Sequence, residues 1–153
     1  MRSRLVLFVV LVAALIGALA VAATAGASGR PLSATPLTGA QEVPGPGDPD
    51  ASGTADVTLN QGAGTVCSTI TWANVDGTVT DSHIHRGAAG VAGPVVVPLF
   101  TGQAFPGTGA FSGCTEDVDR ALIKEIRKDP SAFYVNVHSD VFPAGAIRGQ
   151  LSK

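Results

Sequence analysis

This chain is short of charge and of large side chains. Charged residues make up 14% of its 153 positions and aromatics 5%, where an average globular chain is about a quarter charged. The ten Lys and Arg are scattered, and the formal net charge is −2. A nucleic-acid partner needs a cationic face to displace counterions, and nothing here supplies one. Cysteine is limited to Cys67 and Cys114. With no C-x-x-C spacing to lower a thiol pKa, a structural staple is favoured over redox chemistry, and a zinc site on the two sulfurs is the poorer reading because neither has a ligand-spaced neighbour. Histidine is limited to His83, His85 and His138, too few for a two-metal centre built on imidazoles. Long hydrophobic runs are missing everywhere except near the start.

That one run is informative. Arg2 and Arg4 precede an uncharged stretch from Leu5 to Ala20, and Ala25-Gly26-Ala27 has the small-x-small form of a cleavage site. This order predicts a secretory signal peptide over 1–27. Leu5 to Ala23 is almost long enough to span a bilayer, so a retained anchor is the competing reading. The decay into small residues and the lack of a basic stop-transfer cluster favour cleavage, leaving no membrane span. Removing Arg2 and Arg4 makes the remaining chain more acidic. Its length fits one domain able to bury roughly two thirds of its unfolded surface. In an exported chain, two cysteines imply a Cys67–Cys114 disulfide. Closing the intervening 47 residues is worth up to roughly 4 kcal/mol by chain entropy.

What is abundant is glycine (19) and proline (10), punctuating short alternating segments. Residues 28–36 are expected to be a flexible lead-in. Thr54 to Asn60 alternates, with Ala55, Val57 and Leu59 on one side and Thr54, Asp56 and Thr58 on the other, as a half-buried strand does. Asn60 to Gly64 reads as a turn, and Thr65 to Ala73 as a second strand pairing with the first. Thr78 to His85 is a third. Val95-Val96-Val97 lies between Pro94 and Pro98, so it must stop at the prolines or run along a sheet edge. Residues 101–113 read as loop with room for one strand. A helix is expected over about 115–128, capped by Thr115, with Glu116 and Asp117 in its first turn and Val118, Leu122, Ile123 and Ile126 as its apolar stripe. Phe133 to His138 and Ala146 to Leu151 complete the strands. The fold class is all-β: an antiparallel β-sandwich or barrel with one short helix.

The histidines are the residues with chemistry to offer. His83 and His85 are two apart in a strand and project from one face. His138 sits on the polar side of another strand. If those strands are neighbours, three neutral imidazoles converge, a ligand set suited to one Zn²⁺ or Cu²⁺ with an open position. Asp81 shares the face of His83 and His85 and is placed to accept a ligand's other ring N–H. Asn136, beside His138 in its strand, is a second supporting candidate. The plainer reading is structural: Asn136 and the histidines hydrogen-bond the adjoining loops, and no cofactor is needed. Arg86 and Arg148 are candidates for pairing with loop carboxylates or backbone. No nucleophile constellation is present. Ser82 and His83 are adjacent in a strand and point to opposite faces, and the glycines of 87–93 lack the Lys-Ser/Thr of a phosphate-binding loop.

Three phrases carry a family resemblance. They are Leu37-Thr38-Gly39-Ala40-Gln41-Glu42-Val43-Pro44, then His83-Ile84-His85-Arg86-Gly87-Ala88-Ala89-Gly90 leading into Gly93-Pro94-Val95-Val96-Val97, and finally Tyr134-Val135-Asn136-Val137-His138-Ser139 with Phe142-Pro143-Ala144-Gly145-Ala146-Ile147-Arg148-Gly149-Gln150-Leu151. Together they resemble the hallmark segments of the CHRD domain, the module named after chordin and also found alone in secreted bacterial proteins. The resemblance spans 37–151. It implies an immunoglobulin-like sandwich acting outside the cell, with a non-catalytic binding or structural role toward an extracellular or envelope ligand. It does not imply an enzyme. A mononuclear Zn/Cu protein using His83, His85 and His138 is the alternative.

Overall fold

The computed structural model describes residues 30–153; the expected signal peptide lies outside them. Eight strands form one antiparallel sheet: β1 (Arg30–Thr38), β2 (Ser52–Asn60), β3 (Thr65–Ala73), β4 (Val79–Arg86), β5 (Val95–Phe100), β6 (Gly109–Thr115), β7 (Phe133–Ser139) and β8 (Ile147–Gln150). Their order is β5-β4-β7-β8-β1-β2-β3-β6. The two end strands approach each other, with the Thr115 hydroxyl on β6 donating to the Pro98 carbonyl on β5. The sheet is thus a nearly closed barrel, the all-β class expected. No helix among the described residues is long and apolar enough to cross a membrane.

Alternation built this shape. Ala55, Val57 and Leu59 of β2 and Val66, Ile70 and Trp72 of β3 turn inward and are fully or almost fully buried. The β2–β3 pair runs in unbroken register from Ser52↔Ala73 to Asn60↔Thr65. Its turn is held by the Asn60 side chain accepting the Ala63 N–H, with Gly64 at φ 74°, a conformation glycine adopts without penalty. Ile84, Val97, Phe133, Val135, Val137 and Ile147 fill the other half of the interior. Trp72 donates its indole N–H to the Pro106 carbonyl, so its burial leaves no donor unpaired. Cys67 and Cys114 face each other across β3 and β6 and are bonded, as expected.

Several expectations are corrected. Residues 30–36 are not a loose lead-in but most of β1, which pairs with β2 along nearly its whole length and meets β8 at Thr38↔Arg148. Leu32, Ala34 and Leu37 bury against the core. Pro36 falls at the register irregularity between Ala34 and Leu37, where a missing N–H costs least. The helix α1 is Arg120–Lys128, not 115–128. Thr115 belongs to β6, paired with Val66. Asp119 is the actual cap, its carboxylate accepting the Ala121 N–H at 2.8 Å, and Asp117 sits at φ 56° in the connection. Ile123 and Ile126 of α1 are fully buried, as the stripe predicts. Strand β5 runs through Pro98 to Phe100, tolerated because β5 is an end strand.

Candidate functional site

Strand pairing brings the histidines together. β4 and β7 are antiparallel neighbours, with Asp81 opposite His138, His83 opposite Asn136 and His85 opposite Tyr134. His138 therefore lies diagonally across from His83, on the outer side of the sheet. One ligand nitrogen from each ring can be chosen so that all lie within 4.8 Å of one another. The ring centroids of His83 and His138 are 5.1 Å apart, those of His83 and His85 5.6 Å.

Backbone carbonyls set the tautomers. His85 Nδ1 is 2.8 Å from the Gly93 carbonyl oxygen, and His138 Nδ1 is 3.1 Å from that of Pro143. A carbonyl only accepts, so each Nδ1 carries the proton and each Nε2 is left with a lone pair. His138 Nε2 lies 3.3 Å from His83 Nδ1. His85 Nε2 is buried with no full hydrogen bond, its polar neighbour being the Asn136 side chain, which acts to raise the ring's pKa. A buried, unpartnered acceptor is costly, and a metal ion is one group that would satisfy it.

Burial keeps the rings neutral. The His83 pKa is pushed down to about 4, first by burial and then by its two histidine neighbours, with Asp81 opposing. His85 is lowered by burial although its bond to Gly93 works the other way. His138 is likewise lowered by burial against the bond to Pro143. Neutral imidazole is the ligating form, so the cluster needs no deprotonation at pH 7. A tetrahedral ion with Zn–N near 2.0 Å sets its ligand nitrogens roughly 3.3 Å apart. The His83–His138 spacing already meets that value, and the widest spacing requires a side chain to swing inward. The donor set fits one Zn²⁺ or Cu²⁺ with an open fourth position.

The supporting residues differ from those expected. Asp81 does not orient a ring: its Oδ1 accepts the Gly102 N–H at 3.0 Å, and the ring N–H groups go to Gly93 and Pro143 instead. Asn136 is buried beside His85, but its Oδ1, like His85 Nε2, has no full hydrogen bond. Arg86 pairs with Glu125 of α1 rather than with a loop carboxylate. Arg148 is 2% exposed and donates to the Ala88 carbonyl.

Two features were missed. Tyr134 stacks on His85, centroids 4.8 Å apart and planes 12° off parallel, and the Arg148 guanidinium lies 3.4 Å from the Tyr134 ring centre, a cation–π contact. Glu42 is also buried. Its pKa is raised to about 7 by burial, with Arg148 and the Val43 N–H opposing. The only sequence signal for this group is that Tyr134, Asn136 and His138 alternate with apolar residues, which marks the outer face without showing that loops cover it.

The cover is the glycine-rich loop. Gly93 accepts from His85, its N–H donates to the Tyr134 hydroxyl, Ala88 accepts from Arg148, and Gly87 accepts from Gln150. At Gly93 an added Cβ would lie 1.6 Å from the Arg86 carbonyl oxygen, so only glycine fits that approach. No curated protein and no solved structure matches the chain. The family model for the CHRD domain matches residues 33–151, most of the chain and nearly all of its described part. These residues include the glycine-rich loop, all three histidines and the strands that carry them, and the chain belongs to the CHRD domain family.

Proposed function

We propose that the chain is an exported, non-catalytic CHRD module that holds one Zn²⁺ or Cu²⁺ ion on His83, His85 and His138. The family supports a non-catalytic module, and the disulfide suits an oxidising compartment. The observation that carries the metal reading is the pair of carbonyl-locked tautomers. Gly93 and Pro143 hold His85 and His138 with Nε2 as the lone-pair nitrogen; that of His138 faces His83 Nδ1, and that of His85 is buried with no full hydrogen bond. Histidines serving only to tie down the two loops would need the Nδ1 bonds but not the convergence of the remaining nitrogens. The ion would cross-link β4 to β7 and leave a coordination position for water or for a group on an extracellular or envelope ligand.

Thermal unfolding with and without added metal tests this. Zn²⁺ or Cu²⁺ at a hundredfold excess over its Kd stabilises by about 2.7 kcal/mol, so Tm should rise by several degrees. Each of His83→Ala, His85→Ala and His138→Ala should abolish the rise. A wild-type Tm that ignores both metals would leave the histidines as loop ties.

A further inference from the structure

A stack of three side chains fastens the glycine-rich loop to the sheet. His85 on β4, Tyr134 on β7 and Arg148 on β8 stand in a row on the outer face, because β7 pairs with β4 on one side and with β8 on the other. The His85 and Tyr134 rings are 4.8 Å apart with planes 12° from parallel. The Arg148 guanidinium lies 3.4 Å from the Tyr134 ring centre, on the β8 side. Each member of the stack holds one point of the loop. Arg148 Nη2 donates to the Ala88 carbonyl at 2.9 Å, the Tyr134 hydroxyl accepts the Gly93 N–H at 3.2 Å, and His85 Nδ1 donates to the Gly93 carbonyl at 2.8 Å. The loop is therefore clamped at both ends. Between the clamps Ala89, Gly90, Val91 and Ala92 are exposed, and a backbone bond of 3.0 Å from the Val91 N–H to the Ala88 carbonyl closes the turn. So exposed a segment has little packing of its own to order it. Its order depends on the stack.

One end of the stack belongs to the histidine cluster. Tyr134 grips both sides of the His85–Gly93 bond, since its ring stacks on the donor and its hydroxyl bonds the residue that accepts. Whatever fixes His85 through Nε2 therefore acts on Gly93 through Nδ1. A ligating histidine commonly donates its other N–H to a backbone carbonyl, and the two bonds support each other. His138 is tied separately, to Pro143 in the loop that follows β7. The cluster thus has two loops attached to it, and only one of them passes through Tyr134.

We propose that the glycine-rich loop is the ion-responsive element of this protein and that Tyr134 is the positioning residue that couples it to the histidines. The inference rests on the metal reading above. An ion on the cluster orders residues 88–93, and by reciprocity the ordered loop raises affinity for the ion by the same factor. Val91, 52% exposed at the tip of this loop, is then presented in one fixed shape when the ion is bound.

The test is amide hydrogen exchange of the ¹⁵N-labelled protein, in chelator and with saturating Zn²⁺. Val91 and Gly93 report on the glycine-rich loop. Gly145, whose N–H donates to the Phe142 carbonyl, reports on the loop tied to His138. Zn²⁺ should slow exchange at Val91 and Gly93 by roughly fivefold or more, the low end of measured couplings, and should slow Gly145 as well. Tyr134→Leu removes both ring and hydroxyl. It should abolish the effect at Val91, keep that at Gly145, and raise the Zn²⁺ Kd by the factor lost. Tyr134→Phe keeps the ring, loses the bond to Gly93 and should fall between; it decides alone if Tyr134→Leu does not fold. Zn²⁺ that slows Gly145 but neither Val91 nor Gly93 would overturn the coupling and leave the metal reading standing. Zn²⁺ that slows none of the three would overturn both. Undiminished slowing at Val91 in the Tyr134 variants would overturn the role given to Tyr134.

Discussion

The outer faces of the two halves of the barrel are built from the same kind of strand and carry opposite kinds of chemistry. On β2, β3 and β6 the outward residues include small hydroxyls that bond sideways to one another. Thr54 meets Thr71 at 2.8 Å and Thr69 meets Ser112 at 3.1 Å, with the Cys67–Cys114 bond alongside. This face is open to water, and no buried side-chain polar atom on it lacks a partner. On β4, β7 and β8 the outward residues are His83, His85, Asn136, Tyr134 and Arg148, and loops bury most of them. Among the described residues, four of the five buried side-chain polar atoms without partners collect on or beside this face, on His85, Asn136, Arg148 and Glu42; the fifth is Oδ1 of Asp48, in the β1–β2 connection. A face that only has to keep the sheet wetted satisfies itself locally. Covering polar groups and leaving them unmatched destabilises a fold, and proteins keep such arrangements where a ligand completes them. The contrast supports the proposal that the functional surface lies on the β4–β7–β8 side.

That contrast can be broken in order of expected size. Arg148→Ala removes a buried cation from over Tyr134 and leaves Glu42 without its compensating charge. Breaking a buried pair of this kind costs about 3–5 kcal/mol; here the groups are not in direct contact, so the lower end is expected, read from urea unfolding. On the opposite face, reducing Cys67–Cys114, or replacing both by Ser, should cost about 2–4 kcal/mol by the same assay and leave metal uptake intact. Thr69→Ala, which deletes one exposed hydroxyl pair, should fall within about 0.5 kcal/mol of wild type. A Thr69→Ala cost as large as that of Arg148→Ala would erase the distinction between the faces.

Proton linkage sharpens the comparison further. The three histidines have folded pKa values below the unfolded 6.5, that of His83 at about 4, so as pH falls below 6.5 the unfolded chain binds more protons at these sites. Their contribution to stability is present above pH 6.5 and is lost as pH falls below it. Glu42 works in the opposite sense. Its folded pKa is about 7 against 4.5, so its contribution is present below 4.5 and is lost as pH rises toward 7. Three groups oppose one, and metal-free protein should lose stability on acidification below 6.5. Glu42→Gln should steepen that loss and His83→Gln should shallow it, as measured by urea midpoints across the range. A flat profile in all three proteins would contradict the buried, neutral state of the rings.

Strand alternation made half of this readable in advance. The β2–β3 hairpin follows from Ala55, Val57 and Leu59 and from the Asn60–Gly64 turn, because period two and a glycine turn leave one register. β1 is not legible because Pro31 and Pro36 deny it a long alternating run; what makes it a strand is its pairing with β2 and its contact with β8 at Thr38. The sequence sets the start of α1 too early for a physical reason. Thr115, Glu116 and Asp117 have capping chemistry, but Thr115 follows the disulfide-tethered Cys114 in β6, and Asp119 takes over the cap. The histidine cluster could be anticipated from the H-x-H spacing once β4 and β7 are neighbours. The groups that orient its rings could not, since they are backbone carbonyls of Gly93 and Pro143 and a carbonyl has no residue signature. Asp81 was the natural candidate, and the Gly102 N–H claims it.

The most direct measurement is elemental analysis of the protein as exported, beside a His83→Ala/His85→Ala variant. The account predicts close to one zinc or copper per wild-type chain and none in the variant. A wild-type protein that leaves the cell free of both metals, and takes up neither when dialysed against them, would contradict it.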